Sequence, residues 1–191
     1  MKKEQETENN KTEEKKGDMR KEVVSWVRMF VIVIAVVFVL TQFVIINVRV
    51  PSGSMENTIM TKDRLIGFRF SYWFDEPQRG DIILFSYPVD EKQTYIKRVI
   101  GLPGETIQII DGMIYINGSV YLETQGFPQM ENAGMAAQEI TLGEDEYFVL
   151  GDNRNQSEDS RFADMGNVKL EDIEGKVWAV LSPSDHRGLV K

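Results

Sequence analysis

The 191-residue sequence predicts a mainly β domain that follows one N-terminal membrane-spanning helix. Three observations predict this fold class: an uncharged apolar run near the N-terminus, short β-type runs after it, and turn residues between those runs. Because the chain has no cysteine and one histidine, thiolate sites and multi-histidine metal centres are excluded. The net charge of -8 argues against a nucleic-acid partner. We expect no metal and no cofactor.

The predicted membrane span covers residues 29–48, which contain no charged side chain. A helix rises about 1.5 Å per residue, so this run covers roughly 30 Å, the thickness of a hydrocarbon core. A buried helix of a soluble protein and a cleaved secretory signal are the alternatives. The run is longer than the apolar region of a secretory signal, and no small-x-small site follows it. We therefore expect the helix to remain as an anchor in the cell membrane.

Basic residues flank the span more densely on its N-terminal side, which favours a cytoplasmic N-terminus. They are Lys15, Lys16, Arg20, Lys21 and Arg28 before the span, and Arg49, Lys62 and Arg64 after it. Residues 1–28, rich in Lys and Glu, predict a disordered cytoplasmic tail. Residues 49–191 are then the extracytoplasmic β-rich domain, in a single-pass arrangement.

Alternating and β-branched runs predict the strands of this domain. They are Asp81–Tyr87, Thr94–Gly101, Thr106–Ile110, Met113–Ile116, Glu146–Leu150 and Lys176–Leu181. Between two of them, Asp111-Gly112 tolerates the positive φ angles of a two-residue turn and predicts a hairpin. Residues 125–138 lack alternation and contain Gly, Pro and Asn, so they predict a surface excursion from the β scaffold.

Polar segments at the boundaries of these runs contain the candidate functional residues. In the first, residues 50–55 (VPSGSM), Pro51 and Gly53 can fix a turn that presents a serine hydroxyl and backbone N–H groups. The alternative is an ordinary Ser/Gly linker.

A lysine inside an apolar strand pattern is the second candidate. Alternation places Tyr95, Lys97 and Val99 on one face of the strand, with Arg98 on the other. A buried Lys97 would have a lowered pKa, and its neutral amine could act as a general base. The alternative is a lysine that extends into solvent from an exposed edge strand.

The third candidate is the polar loop Gly151–Arg161, which follows the predicted strand Glu146–Leu150. It is either a solvated turn held by local hydrogen bonds or a buried network that braces an active site. The residues of such a network are Asp152, Arg154, Asp159 and Arg161. The spacing of an EF-hand calcium loop is absent.

In this order, the segments resemble the bacterial type I signal peptidases, specifically the shorter single-span kind typical of Gram-positive organisms. The resemblance runs from the membrane span to about Val180. It rests on the anchor and four motifs, which are PSGSM at 51–55, RGDIILF at Arg79–Phe85, YIKRVIGLPGE at Tyr95–Glu105 and GDNRNQSEDSR at Gly151–Arg161.

The resemblance implies a membrane-bound serine endopeptidase with a Ser/Lys dyad and a signal-peptidase-like β catalytic domain. Such enzymes remove N-terminal signal peptides from exported preproteins after a small-x-small motif. The resemblance makes Ser54 the nucleophile and Lys97 its general base. It also makes the Ser52 hydroxyl and the Ser54 backbone N–H the oxyanion donors, and Ser157 the residue that orients the lysine amine.

Further roles follow from the same resemblance. The structural polar network comprises Asp152, Arg154, Asp159 and Arg161. The apolar substrate pockets are lined by Val50, Met55, Ile59, Tyr95 and Ile96. The chain departs from the family pattern at Asn57-Thr58-Ile59, where many relatives carry Pro-Thr-Leu.

The partners that this interpretation implies are signal peptides of exported preproteins, the lipid bilayer and the secretion translocon. Ser54 lies six residues past the predicted span, within roughly 20 Å of the bilayer along an extended chain. The chief alternative is a catalytically silent, membrane-tethered β module that binds exported proteins. Other Ser/Lys peptidases are the remaining alternatives: self-cleaving repressors, which carry a DNA-binding domain instead of an anchor, and conjugation-type processing peptidases.

Overall fold

The computed structural model describes the backbone of residues 2–190 and the side chains of residues 19–41, 43–90 and 92–190. The chain divides into two compact units, Met1–Phe43 and Val44–Lys191. The first is helical and the second is built from β-strands, so the prediction of a mainly β protein with an N-terminal apolar helix is confirmed.

Helix α1 spans Lys2–Val39 and continues into a π-helical turn at Leu40–Val44. Its part Met19–Val39 is long and apolar enough to cross a membrane. The Val, Ile and Phe side chains of this part are exposed on all sides of the helix. An apolar surface all around a helix suits a lipid environment, so the helix is consistent with membrane anchoring.

The bounds of the helix differ from those predicted for the span, residues 29–48. Residues 45–48 lie in a β-strand, where their β-branched side chains pair with a second strand. At the other end, the helix continues back to Lys2 through residues predicted to form a disordered tail. Lys and Glu are strong helix formers, and extending an existing helix requires no new nucleation.

Twelve strands form the part of the second unit that the structure describes, residues 44–190. They are β1 Ile45–Arg49, β2 Arg64–Phe68, β3 Ile82–Tyr87, β4 Asp90–Gly101, β5 Thr106–Ile110, β6 Met113–Ile116, β7 Ser119–Val120, β8 Ile140–Thr141, β9 Glu146–Leu150, β10 Val168–Lys169, β11 Ile173–Ser182 and β12 Gly188–Leu189. One sheet has the order β1-β2-β11-β3-β4-β9-β10, with β12 paired to β11. A smaller sheet has the order β7-β6-β5-β8.

All six predicted strands are present, with end points that differ by a few residues at most. The hairpin between β5 and β6 is confirmed, because Asp111 and Gly112 have φ angles of 48° and 72° and Ile110 pairs with Met113. Residues 125–138 contain no strand and most of them are exposed, as predicted.

Strand β2 is missing from the sequence prediction because Gly67 interrupts a short apolar run. In the structure a Cβ at Gly67 would lie 2.7 Å from the carbonyl oxygen of Lys176 on β11. The glycine therefore permits the close approach of two paired strands instead of ending one.

Candidate active site

The serine segment leaves β1 as a compact loop and not as a linker. Its first residue is held on both sides, since the Val50 N–H donates to the Asp63 carbonyl and the Val50 carbonyl accepts from Lys62 N–H, both at 2.9 Å. Further along, the Ile59 N–H donates to the Met55 carbonyl at 2.9 Å. The side chains of Met55 and Ile59 are buried in the core, which anchors the loop that presents Ser54.

Lys97 lies in a central strand of the large sheet. Strand β4 runs between β3 and β9, and Lys97 is paired with Ile83. Only 3% of the Lys97 surface is exposed, and its Nζ donates a hydrogen bond to Ser54 Oγ at 2.9 Å. The alternative of a lysine extending from an edge strand is therefore excluded, and the two residues predicted to form the dyad are in contact.

Burial changes the acid-base behaviour of this lysine. Desolvation lowers the pKa of Lys97 from 10.5 to about 8, although the negative charges of Asp159, Glu158 and Asp152 act in the opposite direction. With that pKa, roughly a tenth of the lysine is neutral at pH 7. A neutral amine beside a serine hydroxyl can accept its proton.

A cavity of about 550 Å³ opens at the dyad. Four of the five residues predicted to form the substrate pocket line it, namely Val50, Met55, Tyr95 and Ile96. The fifth, Ile59, does not: it is completely buried in the core. The hydrogen bond between residues 55 and 59 forms a helical turn that directs Ile59 inward. Sequence reasoning missed the polar lining residues Gln93, Thr94, Gln156 and Glu158.

Asn57 has a φ angle of 86°, in the left-handed region. A proline ring locks φ near −65°, so the proline that many relatives carry here is incompatible with this backbone. Asparagine tolerates the left-handed region better than most residues. Asparagine in place of the proline of the family pattern therefore fits the backbone conformation of this chain.

The two residues that carry the predicted oxyanion donors line the same cavity. Ser52 is exposed there, next to Gly53 and Ser54. Among residues 2–190, the Ser54 N–H has no hydrogen-bond partner. An unpaired backbone N–H beside a serine hydroxyl is able to stabilise an oxyanion that forms on the attacked carbonyl.

Ser157 is buried near the dyad, but the predicted hydrogen bond to the Lys97 amine is not made. Within the described chain, the Ser157 Oγ has no partner. The Lys97 amine is directed to Ser54 instead. The Ser157 hydroxyl lies against Gly151, where an added Cβ would come within 2.2 Å of its Oγ. The orienting role of Ser157 stays a prediction.

The predicted polar network is buried. Asp159 accepts hydrogen bonds from Arg161 Nε at 2.7 Å and from the Gly151 N–H at 3.1 Å. Asp152 accepts two from the Arg98 guanidinium, at 2.8 and 2.7 Å. Sequence reasoning missed Arg98 as a member of this network. These bonds fix the loop Gly151–Arg161 against the strand that carries Lys97. The loop is therefore a buried network and not a solvated turn.

Residues 121–138, here called the covering segment, complete the network from the smaller sheet's side. Glu123 forms a bidentate ion pair with Arg154, and sequence reasoning missed this partner too. The Phe127 ring lies 4.4 Å from the Arg154 guanidinium carbon. The Asn132 carbonyl accepts a hydrogen bond from Arg161 at 2.9 Å. The covering segment therefore supplies hydrogen-bond and ion-pair partners for the buried guanidinium groups of Arg154 and Arg161.

Comparisons with known proteins identify the family of this chain. The family described as "Signal peptidase, peptidase S26" matches residues 23–182. Signal peptidase I of Leptolyngbya laminosa is 38% identical over 152 residues, which is 73% of this chain and 70% of the relative. Signal peptidase I of Bacillus licheniformis is 33% identical over 180 residues, with coverage of 90% and 95%.

A solved structure also matches, the crystal structure of a signal peptidase I from Enterococcus faecalis V583. It is 38% identical, covers 56% of this chain and 98% of its own, and has a TM-score of 0.42. The match of the family to residues 23–182 extends over most of the sequence. The chain therefore belongs to the signal peptidase family, peptidase S26, and is a peptidase of that family.

Proposed function

We propose that this chain cleaves signal peptides from exported preproteins with Ser54 as nucleophile and Lys97 as general base. The observation that carries the proposal is the contact of 2.9 Å between Lys97 Nζ and Ser54 Oγ in the lining of a cavity. No cysteine competes as a nucleophile. The one histidine, His186, contacts Asp63 at 3.5 Å and does not line the cavity.

The chemistry follows from this arrangement. Neutral Lys97 takes the proton of Ser54 as Oγ attacks the scissile carbonyl, and the Ser54 N–H and the Ser52 hydroxyl stabilise the oxyanion. The Lys97 ammonium then gives its proton to the departing amine. A water molecule, deprotonated by the same lysine, hydrolyses the acyl-enzyme and releases Ser54.

The cavity supports selectivity for small side chains near the cleaved bond. The walls formed by Val50, Met55, Tyr95 and Ile96 are apolar. Three of these side chains belong to the buried core, so they cannot move apart without breaking core packing. Alanine fits beside such walls, whereas larger side chains collide with them, which suits a small-x-small motif.

We also propose that the N-terminus is cytoplasmic and that the bilayer and the secretion translocon are partners. The basic flank of the apolar helix supports the orientation. Exposed aromatic side chains support lipid contact: Phe70, Trp73 and Phe74 follow Phe68, which pairs with Ile45 at the start of β1. Trp and Phe favour membrane interfaces.

The proposal is tested with the full chain in detergent and a labelled preprotein that has alanine at the first and third positions before the cut. We expect one cleavage, at that motif, identified by sequencing the new N-terminus. Phenylalanine at the first position should lower kcat/KM on the order of 100-fold, because the walls cannot accommodate it. A preprotein that is bound and retained intact would favour the binding-module alternative and contradict the proposal.

The rate of cleavage should depend on the protonation of Lys97. Burial lowers the pKa of Lys97 to about 8, and only the neutral amine is a base, so kcat/KM should rise about tenfold per pH unit below pH 7 and level off above pH 8. The profile is measured between pH 5.5 and 10, with thermal unfolding recorded at each pH to exclude denaturation. A flat profile from pH 6 to pH 9 would contradict the role of Lys97.

A further inference from the structure

Asn153 connects the loop Gly151–Arg161 to two consecutive carbonyls of the loop between β1 and β2, residues 50–63, which carries Ser54 and is here called the nucleophile loop. Its side-chain Nδ2 donates a hydrogen bond to the Gly53 carbonyl at 3.0 Å. Its backbone N–H donates to the Ser54 carbonyl at 3.1 Å. Both bonds bridge segments about 100 residues apart in sequence. Asn153 therefore holds the backbone on both sides of the Ser54 α-carbon.

The first of these bonds fixes the direction of the donor that Ser54 offers. The Gly53 carbonyl and the Ser54 N–H belong to one peptide group, which is planar and trans, so they point in opposite directions. A carbonyl held toward Asn153 turns the N–H to the other side. That N–H has no hydrogen-bond partner within residues 2–190, and Gly53 and Ser54 both line the cavity.

Asn153 is itself fixed by its neighbours. Asp152 and Arg154, on either side, each form a buried ion pair with a residue of another segment. The Asn153 carbonyl accepts from the Gln156 N–H at 2.9 Å. The Gly53 carbonyl has a second donor, the Glu56 N–H at 3.1 Å, but Glu56 belongs to the nucleophile loop and moves with it. Asn153 supplies the contact that ties the peptide to the sheet.

We propose that Asn153 is a positioning residue, whose side-chain amide directs the Ser54 N–H into the cavity as an oxyanion donor. The inference rests on the proposed function and adds a residue that acts through another, without touching the substrate. It implies that loss of the amide weakens stabilisation of the transition state and leaves binding of the ground state unchanged.

The test compares Asn153→Ala with Asn155→Ala in the full chain. Asn155, in the same loop, also bonds to backbone through its side chain, but to Gln129 and Glu131. For Asn153→Ala we expect kcat to fall about 10-fold to 100-fold and KM to stay within twofold. The inhibition constant of a peptide aldehyde, whose serine adduct carries an oxyanion, should rise by a similar factor. Asn155→Ala should change each quantity less than twofold.

A merely structural role would lower the unfolding temperature and leave the kcat of the folded enzyme unchanged. A kcat within twofold of the wild type, or a change confined to KM, would overturn the inference. If Asn153→Ala does not fold, Asn153→Leu, which keeps the size of the side chain, is measured and judged by the same outcomes. Cleavage by the wild type and its loss in Ser54→Ala test the proposed function separately, so the two failures are distinguishable.

Discussion

Replacement of Ser54 by alanine or of Lys97 by methionine should lower kcat/KM for a preprotein by about 10⁴-fold or more. The first variant removes the attacking oxygen and the second removes the base that lies 2.9 Å from it. Members of a catalytic pair act as a unit, so each loss alone removes nearly all acceleration that the pair supplies. The measurement is the initial rate of preprotein cleavage over a wide range of enzyme concentrations.

Matched controls separate catalysis from folding. Lys92→Met makes the same change at an exposed position of the same strand, and Ser119→Ala changes an exposed serine of β7. Both should retain wild-type rates. Residual cleavage above 1% in either dyad variant would contradict the mechanism.

Lys97→Met should also be more stable than wild type at pH 7, by up to about 3 kcal/mol. The lowered pKa means that protonated Lys97 destabilises the fold, a penalty that grows as pH falls from 10.5 toward 8 and is constant below.

Loss of the Asp152 carboxylate should destabilise the domain by about 3–5 kcal/mol, because Asp152→Ala removes the negative charge that accepts two hydrogen bonds from the buried Arg98 guanidinium. Arg98 and Asp152 are both almost fully buried, and two hydrogen bonds join them. For a chain of this size, the unfolding temperature should fall by roughly 6 to 20 °C. The measurement is thermal unfolding of the full chain in detergent, followed by circular dichroism.

An exposed ion pair provides the control. Lys169 and Glu171 are 4.0 Å apart on the surface, so Glu171→Gln should change stability by less than about 0.5 kcal/mol. Replacing Arg98 by Met and Asp152 by Leu together should recover part of the loss, since apolar side chains leave no unpaired charge. Equal effects of Asp152→Ala and Glu171→Gln would show that the buried pair contributes no more than a surface pair.

The sequence predicted the strands of the domain better than the boundary of the apolar helix. Alternation and turn residues are local signals, and they located β3, β4, β5, β6, β9 and β11. Residues 45–48 continue an apolar run, and nothing local separates a membrane helix from a strand there. Residues 45–48 form a strand because they pair with β2, and that pairing is a contact between distant parts of the chain.

The burial of Lys97 in the candidate dyad also depends on contacts that a local sequence pattern does not reveal. Alternation placed Lys97 and Arg98 on opposite faces, but it could not decide whether the strand lay at an edge or at the centre of the sheet. The pairing of β4 with both β3 and β9 answers this, and it buries both cations. The ion pairs around the candidate dyad join residues that are distant in sequence. Arg98 is 54 residues from Asp152, and Arg154 is 31 residues from Glu123. Family resemblance proposed a structural role for Asp152 and Arg154, but no local pattern predicted their partners Arg98 and Glu123.

The dependence of the loop Gly151–Arg161 on the covering segment limits how the protein can be engineered. A graft of those eleven residues onto a foreign scaffold would transfer two guanidinium groups without Glu123, the Phe127 ring or the Asn132 carbonyl that satisfy them here. Asp152 in this loop also pairs with Arg98 on β4, so the shortest continuous stretch that keeps all of these contacts runs from β4 to Arg161. Chimeras with relatives should therefore exchange this stretch whole, with crossover points before Asp90 and after Arg161.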